Sequence, residues 1–328
     1  MKLALVGDIG GTNARFALWR DEQLEAVQVL ATADFPGPEQ AIVAYLQAQG
    51  LSPGAIGSVC LACAGPVSGN LFRFTNNHWR IDRAAFCQTL QIDRLLMIND
   101  FSAMALGMTR IAEHERVQVC PGEAQADRPA LVIGAGTGLG VGTLLAQADG
   151  NWLVLPGEGG HVDLPIGSPR EAELWQVLYR QLGHVRAEDV LSGNGLLVLY
   201  RAICELDGKP LQHATPAAIT AAGLAGEPVA GEVLEQFSCW LGRVAGNDVL
   251  TLGARGGVYI VGGVVPRFAE RFLASGFAKS FRDKGCMSHY LHGIPVWLVT
   301  AEYPGLTGAG VALQQAPDHS PDAIRESR

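Results

Sequence analysis

Residues 3–19 read LALVGDIGGTNARFALW: an apolar run, a polar turn with two adjacent glycines, and a second apolar run. The runs at 3–7 and 14–19 are predicted strands, and a Gly-Gly turn between such runs is typical of a β-hairpin. Free backbone N–H groups in the turn, together with the Thr12 hydroxyl, are suited to holding an anion. A hairpin with no ligand is the alternative interpretation of this stretch alone.

The same order of strand, glycine-rich turn and strand occurs again in the middle of the chain. Residues 130–133 and 141–145 are predicted strands, and GAGTGLG at 134–140 joins them. The chain has no P-loop motif, and the spacing of these glycines does not fit the dinucleotide fingerprint. We interpret the repeat as a duplicated unit whose two turns together hold the phosphates of one nucleotide.

Strands and helices alternate over most of the chain, which predicts an α/β fold. A chain of 328 residues usually divides into two domains. Further strands are predicted at 58–64, 95–98, 258–261 and 294–300, and helices at 38–49, 101–108, 169–182, 194–206, 230–250 and 304–314. An apolar stripe on the helix at 230–250 indicates a core or dimer helix rather than a groove for a partner protein.

Composition excludes several classes of protein. The formal net charge is -8 and no long run of Lys or Arg occurs, so we expect no nucleic-acid partner. No apolar stretch reaches the roughly 18 residues of a membrane span, and the N-terminal apolar run is too short for a signal peptide, which predicts a cytoplasmic protein without membrane contact. The seven cysteines are scattered; Cys60 and Cys63 have metal-site spacing, but their apolar surroundings favour core packing.

Asn99 and Asp100 follow a predicted strand and precede a predicted helix. Ligands of α/β folds bind at the carboxyl ends of such strands. An ordinary Asp titrates near pH ~3.9, so Asp100 is available at neutral pH to take a proton from an attacking hydroxyl group. Asn99 offers a hydrogen-bond donor and an acceptor. The alternative is that Asp100 serves only as the N-cap of the helix.

Three more polar residues stand out in the second half. Glu158 is bracketed by glycines, His161 follows three residues later, and Glu188 begins a helix-like segment. Carboxylates that accept strong hydrogen bonds suit the hydroxyl groups of a sugar. Glu158 and His161 as a metal pair, and Glu188 as an ordinary helix-start residue, are the alternatives. His78, His184 and His289 belong to no motif with an assignable role.

The segments at 6–13, 136–138 and 260–263 resemble the ATPase core shared by actin, the Hsp70 chaperones and the sugar kinases. The resemblance implies a two-domain ribonuclease H-like fold with mixed sheets flanked by helices and a cleft between the domains. It implies ATP and Mg²⁺ as cofactors, with Mg²⁺ held at Asp8 through water. The nucleotide-binding residues that it implies are Gly7, Asp8, Ile9, Gly10, Gly11, Thr12, Asn13, Gly136, Thr137, Gly138, Gly262 and Gly263.

Four segments, at 98–101, 155–162, 188–196 and 262–268, are similar to the bacterial group A glucokinases. The similarity extends from residue 3 to about residue 310. The related repressor–kinase group carries a cysteine-rich zinc loop after the segment that corresponds to His161, and no cysteine cluster follows here.

The glucokinase resemblance implies that ATP phosphorylates D-glucose at its 6-hydroxyl, with Asp100 as the general base. The residues that it places on the hexose are Asn99, Asp100, Glu158, His161 and Glu188. It implies a small domain of residues 1–110 plus about 301–328, a large domain of 111–300, and a homodimer. Kinases for mannose, fructose or an N-acetylhexosamine, and a sugar-independent ATPase, remain alternatives. A sugar-sensing DNA-binding regulator is disfavoured, because no room for a helix-turn-helix precedes residue 3.

Overall fold

The computed structural model describes residues 3–65 and 69–316 and shows an α/β protein. The strands are β1 (Leu3–Ile9), β2 (Asn13–Arg20), β3 (Gln23–Ala31), β4 (Ile56–Cys63), β5 (Leu71–Arg73), β6 (Arg80–Asp82), β7 (Arg94–Asn99), β8 (Arg116–Cys120), β9 (Ala130–Ala135), β10 (Leu139–Ala146), β11 (Trp152–Gly157), β12 (Val258–Val261) and β13 (Val296–Val299). The helices are α1 (Pro38–Ala48), α2 (Arg83–Leu90), α3 (Asp100–Gly107), α4 (Pro169–Leu182), α5 (Ala187–Val190), α6 (Gly195–Leu206), α7 (Pro216–Leu224), α8 (Pro228–Leu252), α9 (Ala269–Leu273), α10 (Phe277–Arg282), α11 (Ser288–Leu291) and α12 (Pro304–Gln315).

These elements belong to two compact units. The first comprises Met1–Ile111, Asp149–Val154 and Ala301–Arg328, and the second comprises Ala112–Ala148 and Leu155–Thr300. The short segment 149–154 of the first unit has no counterpart in the sequence prediction. Residues 317–328, which the prediction assigns to the small domain, lie outside the described residues.

The first unit is built on a sheet with the strand order β3-β2-β1-β4-β7. β1 is antiparallel to β2 and parallel to β4, which is in turn parallel to β7. The residues of β4 from Val59 to Cys63 are fully buried, as expected of a strand covered on both faces. The carboxyl ends of the three parallel strands, at Ile9, Cys63 and Asn99, therefore meet at one edge of the sheet.

The second sheet has the order β11-β10-β9-β12-β13-β8, and all of its strands except the first residues of β11 belong to the second unit. β9 is antiparallel to β10 and parallel to β12, and β12 is parallel to β13. The series β10-β9-β12-β13 thus repeats the series β2-β1-β4-β7 of the first unit, a hairpin followed by two parallel strands. The repeat inferred from the two glycine-rich turns is present in both sheets.

Helix α8 lies in the core of the second unit. Its apolar stripe, which includes Val233, Phe237, Trp240 and Leu241, is fully buried among residues of this same chain. The Trp240 indole Nε1 donates a hydrogen bond of 2.8 Å to the Pro165 carbonyl, which fixes the helix further. The core interpretation of this stripe is confirmed, and the stripe is not available as a groove for a partner.

Helix α12 packs against α3 through glycine. A Cβ atom at Gly308 would overlap the Ala103 carbonyl group, and one at Gly107 would overlap the Pro304 carbonyl group. The backbones of the two helices are therefore in direct contact. A larger residue at either glycine would push the helices apart. Because α3 begins at Asp100, this packing holds the predicted base.

A buried ion pair joins α4 to α8. Glu171 is 2% exposed and Arg243 is 9% exposed, and the Arg243 Nε lies 2.9 Å from the Glu171 carboxylate. The Gly167 amide (2.6 Å) and the Gln236 side-chain amide (3.3 Å) also donate to this carboxylate, and Arg243 Nη1 donates to Asp283 at 3.0 Å. Every charge in the network therefore has a partner, as a buried charge requires.

Cys60 and Cys63 are buried free thiols of β4, in agreement with core packing. Burial raises the pKa of both thiols. Among residues 3–65 and 69–316, no group of three or more His, Cys, Asp and Glu side chains is arranged to hold a metal ion. Within the same residues, no helix has the length and apolar character that crossing a membrane requires.

Candidate active site

The turn between β1 and β2 is braced by residues from outside the hairpin. The Gly10 amide donates to the Asn13 carbonyl at 2.9 Å and closes the turn. The Gly10 carbonyl accepts from Asn77 Nδ2 at 3.0 Å, and the Gly11 carbonyl accepts from the Thr32 hydroxyl at 2.9 Å. Both carbonyl groups thus accept hydrogen bonds from the protein itself. The polar backbone groups of the turn that can bind an anion are therefore amide N–H groups.

The other predicted residues of this turn differ in their surroundings. Thr12 and Asn13 are exposed at its tip, whereas Ile9 is 2% exposed and its side chain lies in the core of the first unit. Gly7 is buried within β1, where an added Cβ would meet the side chains of Leu61 and Phe16. Sheet packing accounts for the glycine at position 7.

Asp8 lies near the carboxyl end of β1, opposite Arg15 in the hairpin register. The Arg15 Nη1 lies 3.2 Å from Asp8 Oδ2. Burial raises the pKa of Asp8, and the Arg15 charge acts against that rise. A single carboxylate fits a Mg²⁺ ion that keeps water and phosphate oxygens as its other ligands. Arg15 was missed by the sequence analysis, which placed Asp8 outside the two predicted strands and assigned no register to the hairpin.

Asn99 and Asp100 stand at the junction of β7 and α3. Asn99 Oδ1 accepts from the amides of Phe101 (2.9 Å) and Ser102 (3.1 Å), so Asn99 is the N-cap. Asp100 is the exposed first residue of the helix, and its Oδ1 accepts from the Phe101 amide at 2.8 Å. The alternative that Asp100 itself is the N-cap is wrong, and Asn99 keeps its side-chain NH₂ as a donor.

The first unit brings Asp8 and Asp100 to the same edge of its sheet. Cys63 ends β4, between the strands that carry the two carboxylates. Burial raises the pKa of the Cys63 thiol well above its usual value, and the charges of Asp100 and Asp8 raise it further. Both carboxylates therefore lie within electrostatic reach of one buried side chain.

The second glycine-rich turn joins β9 and β10. Within it the Gly136 amide donates to the Gly138 carbonyl at 2.8 Å, and the Gly136 carbonyl accepts from the Gly193 amide at 2.8 Å. The Glu188 Oε2 accepts from the Leu139 amide at 2.9 Å and lies against Gly138, where a Cβ would overlap it. The segment that contains Glu188 and Gly193 therefore supports this turn, while Thr137 is exposed at its tip.

The glycines at 262 and 263 follow β12, which lies directly beside β9. Gly262 has a φ of +89°, and a Cβ there would overlap the Ala135 carbonyl. A Cβ at Gly263, or at Gly136 of the neighbouring turn, would find no atom of the described residues within 4 Å. The second unit thus places two open glycine positions at the ends of adjacent strands, where a ligand can approach the backbone closely.

Glu158 immediately precedes a short 3₁₀ helix, Gly159–His161, of which His161 is the last residue. The Glu158 side chain is 90% exposed, and its Oε2 lies 3.9 Å from His161 Nε2. The described chain supplies no third ligand of the kind a metal ion would need, which leaves the metal-pair alternative unsupported. An exposed carboxylate beside an imidazole can instead hydrogen-bond a polar ligand.

Arg186 is a charged residue of this region that the sequence analysis missed. Its Nη1 lies 3.0 Å from His161 Nδ1, its Nη2 lies 2.6 Å from Asp189 Oδ1, and its Nη1 lies 4.0 Å from Glu188 Oε1. The contact with His161 joins residues 25 positions apart, which no local pattern reveals. Arg186 thus connects two of the residues predicted to bind the hexose.

A model of the glucokinase family matches residues 5–316 of this chain. The chain belongs to the glucokinase family. A glucokinase from Pseudomonas paraeruginosa (strain DSM 24068 / PA7) is 61% identical over 317 residues, which cover 96% of this chain and 94% of that protein. A glucokinase from Hahella chejuensis is 44% identical over 319 residues, covering 96% and 98% of the two chains.

The crystal structure of a glucokinase from an Antarctic psychrotroph superimposes on this structure with a TM-score of 0.88. The two chains are 35% identical, and the match covers 96% of this chain and all of the other. The mixed sheets flanked by helices, with the repeated hairpin and parallel strands, are those of the actin-like ATPase fold. The predictions of a glucokinase-family kinase and of this fold are confirmed.

His78, His184 and His289, which belong to no motif, make the following contacts in this family member. His78 Nε2 lies 2.9 Å from the Phe35 carbonyl oxygen, and His289 Nδ1 lies 2.9 Å from the Cys286 carbonyl oxygen. His184 Nε2 lies 3.4 Å from Asp163 Oδ1 on the surface. None of these contacts assigns a chemical role to the three histidines.

Proposed function

We propose that this chain transfers the γ-phosphoryl group of ATP to the 6-hydroxyl of D-glucose, giving glucose 6-phosphate and ADP. The observation that carries the proposal is the placement of Asp100, an exposed carboxylate at the carboxyl end of β7, in a member of the glucokinase family. The identity of the sugar rests on the 61% identity to a glucokinase.

In this proposal Asp100 is the general base. Its carboxylate accepts the proton of the 6-hydroxyl as the oxygen attacks the γ-phosphorus atom. The hydrogen bond from the Phe101 amide to Asp100 Oδ1 holds the carboxylate at the start of α3. The Asn99 side-chain NH₂, which capping leaves free to donate, binds a neighbouring sugar hydroxyl.

Glu158, His161 and Glu188 are proposed to bind the other hydroxyl groups of the hexose. Because Glu188 Oε2 accepts from the Leu139 amide, its Oε1 is the oxygen assigned to the sugar. Carboxylates of this kind accept charge-assisted hydrogen bonds, so they distinguish sugars by the positions of their hydroxyl groups.

The two glycine-rich turns are proposed to bind ATP. The Gly10 and Gly136 amides bond within their own turns, so the other amide N–H groups of the turns at 10–13 and 136–138 are assigned to the phosphate oxygens. Gly262 and Gly263 are assigned to the adenosine. Asp8 holds Mg²⁺ through water, and the ion, when bound, supplies positive charge to the phosphate chain. Local donors are needed because the net charge of the protein is -8 and repels a nucleotide.

A homodimer is proposed on the family resemblance alone. The buried stripe of α8 takes no part in it, because those side chains already lie in the core of the second unit.

A coupled assay of ADP release against a hexose panel tests the proposed function. We expect release to depend on added sugar and kcat/KM to be largest for glucose. ADP release at the same rate without sugar would establish the ATPase alternative. A larger kcat/KM with mannose, fructose or an N-acetylhexosamine would establish a different hexose kinase.

Glu188→Ala is expected to raise the KM for glucose and the KM for ATP together, because one carboxylate serves the sugar and supports the phosphate turn. Loss of a hydrogen bond to a charged group costs about 1.5–3 kcal/mol, which corresponds to a roughly 10- to 100-fold increase. Glu188→Gln keeps a carbonyl for the Leu139 amide, so its KM for ATP should stay near the wild-type value.

Initial-rate kinetics with each substrate varied in turn measure both constants. Glu205→Ala is the matched control, because Glu205 is a surface carboxylate paired with Arg180. An unchanged KM for ATP in Glu188→Ala would show that the turn does not depend on this carboxylate.

A further inference from the structure

Arg186 is held rigidly at the start of α5. Its Nη2 lies 2.6 Å from Asp189 Oδ1, and its backbone amide donates to Asp189 Oδ2 at 2.8 Å. Although burial raises the pKa of Asp189, the hydrogen bonds and charge of Arg186 outweigh that effect and lower it. Asp189 therefore stays ionised at neutral pH and fixes the guanidinium.

The segment that carries His161 is joined to the segment that carries Arg186 through the backbone. The Ala187 amide donates to the Val162 carbonyl at 2.9 Å, and the Leu164 amide donates to the Val185 carbonyl at 3.0 Å. These hydrogen bonds lie on both sides of Arg186. The two segments are thus paired directly beside Arg186, and the contact with Asp189 holds the guanidinium.

The contact between Arg186 and His161 determines where the imidazole carries its proton. Arg186 Nη1 lies 3.0 Å from His161 Nδ1. A guanidinium has only hydrogen-bond donors, so the Nδ1 atom must accept. The proton of the neutral ring then lies on Nε2, and the opposite tautomer would direct two N–H groups at each other.

We propose that Arg186 is a positioning residue that fixes the Nε2–H tautomer and the orientation of His161, so that Nε2–H donates to a hydroxyl oxygen of the hexose. The inference rests on the proposed role of His161 in sugar binding. Glu158 and Glu188 only accept hydrogen bonds when ionised, so His161 supplies the donor that they lack. A sugar hydroxyl that donates to a carboxylate can accept from His161 at the same time.

The experiment combines NMR of the free protein with kinetics. Long-range ¹H–¹⁵N correlation of ¹⁵N-histidine protein identifies the tautomer of His161, whose signals are assigned by their loss in His161→Gln. We expect the Nε2–H tautomer alone in the wild type and a mixture of tautomers in Arg186→Ala. In Arg186→Ala, the loss of one oriented hydrogen bond to the sugar should raise the KM for glucose by roughly 5- to 20-fold and leave the KM for ATP unchanged.

Two further variants make the result specific. Arg186→Lys keeps the positive charge, but its single ammonium cannot reproduce the two-sided contact of the guanidinium, so we expect only partial recovery of the KM for glucose. If Arg186→Ala fails to fold, Arg186→Lys is used in its place for both the NMR and the kinetic measurements. Arg180→Ala removes a surface arginine paired with Glu205 and should leave the tautomer and both KM values unchanged.

The possible outcomes separate this inference from the proposed function. A pure Nε2–H tautomer in both Arg186→Ala and Arg186→Lys overturns the positioning role. A changed tautomer, together with a normal KM for glucose in His161→Gln, supports the positioning role and overturns sugar binding by His161. A changed tautomer, with the KM for glucose raised in both His161→Gln and Arg186→Ala, supports both.

Discussion

Asp100→Asn is expected to lower kcat for glucose phosphorylation by about 10²- to 10⁴-fold, the range that a general base contributes. The asparagine amide cannot take the proton of the 6-hydroxyl. Its carbonyl oxygen can still accept from the Phe101 amide, which Asp100 Oδ1 binds at 2.8 Å, so the start of α3 should keep its geometry. Glucose binding should therefore largely survive.

The kcat of this variant is measured by coupled ADP release, and glucose affinity by isothermal titration calorimetry. Asp82→Asn is the matched control, because Asp82 is the N-cap of α2 in the first unit and accepts from the Ala85 amide at 3.0 Å. We expect the control to keep its turnover. Near-normal turnover in Asp100→Asn itself would show that another group accepts the proton.

Arg243→Ala is expected to lower the free energy of unfolding by about 3–5 kcal/mol, because removal of one partner leaves the other charge buried without compensation. Glu171 is 2% exposed and would keep only the hydrogen bonds of Gly167 and Gln236. The lost contact joins α4 to α8, the helix at the centre of the second unit.

Thermal denaturation followed by circular dichroism gives the unfolding midpoint of each variant. The double variant Glu171→Gln/Arg243→Met removes both charges and keeps an acceptor for the Gly167 amide, so it should recover much of the loss. Arg180→Ala, which breaks a surface pair, should leave the midpoint unchanged. If the double variant is less stable than Arg243→Ala, the loss of stability does not come from the unpaired charge of Glu171.

Regular elements with buried faces were predictable from the sequence. The helix predicted at 169–182 and the strand predicted at 258–261 coincide with Pro169–Leu182 and Val258–Val261. β3 was missed because it is an edge strand with polar residues on both faces and no apolar alternation. The short helices α9, α10 and α11 are each too brief to show a helical period.

The candidate site was predictable where its residues are adjacent in sequence. Asn99 and Asp100 were found together, but only the structure decides that Asn99 is the N-cap. Asn77 supports the first turn from 67 residues away, and Arg186 contacts His161 from 25 residues away. Such pairs arise from chain topology, and the sequence of either partner alone carries no signal for them.

The packing of α12 against α3 also bears on how the protein is made. A ribosome releases Asp100 early, whereas Pro304–Gln315, against which its helix packs, is among the last segments of the described chain to emerge. Domains usually fold as units during translation. Because α12 follows Thr300 in the chain, the small-residue face of α3 stays exposed until all of the second unit has been synthesised. We therefore expect a nascent chain to bring Asp100, the proposed base, into its final setting only after Pro304–Gln315 has been synthesised.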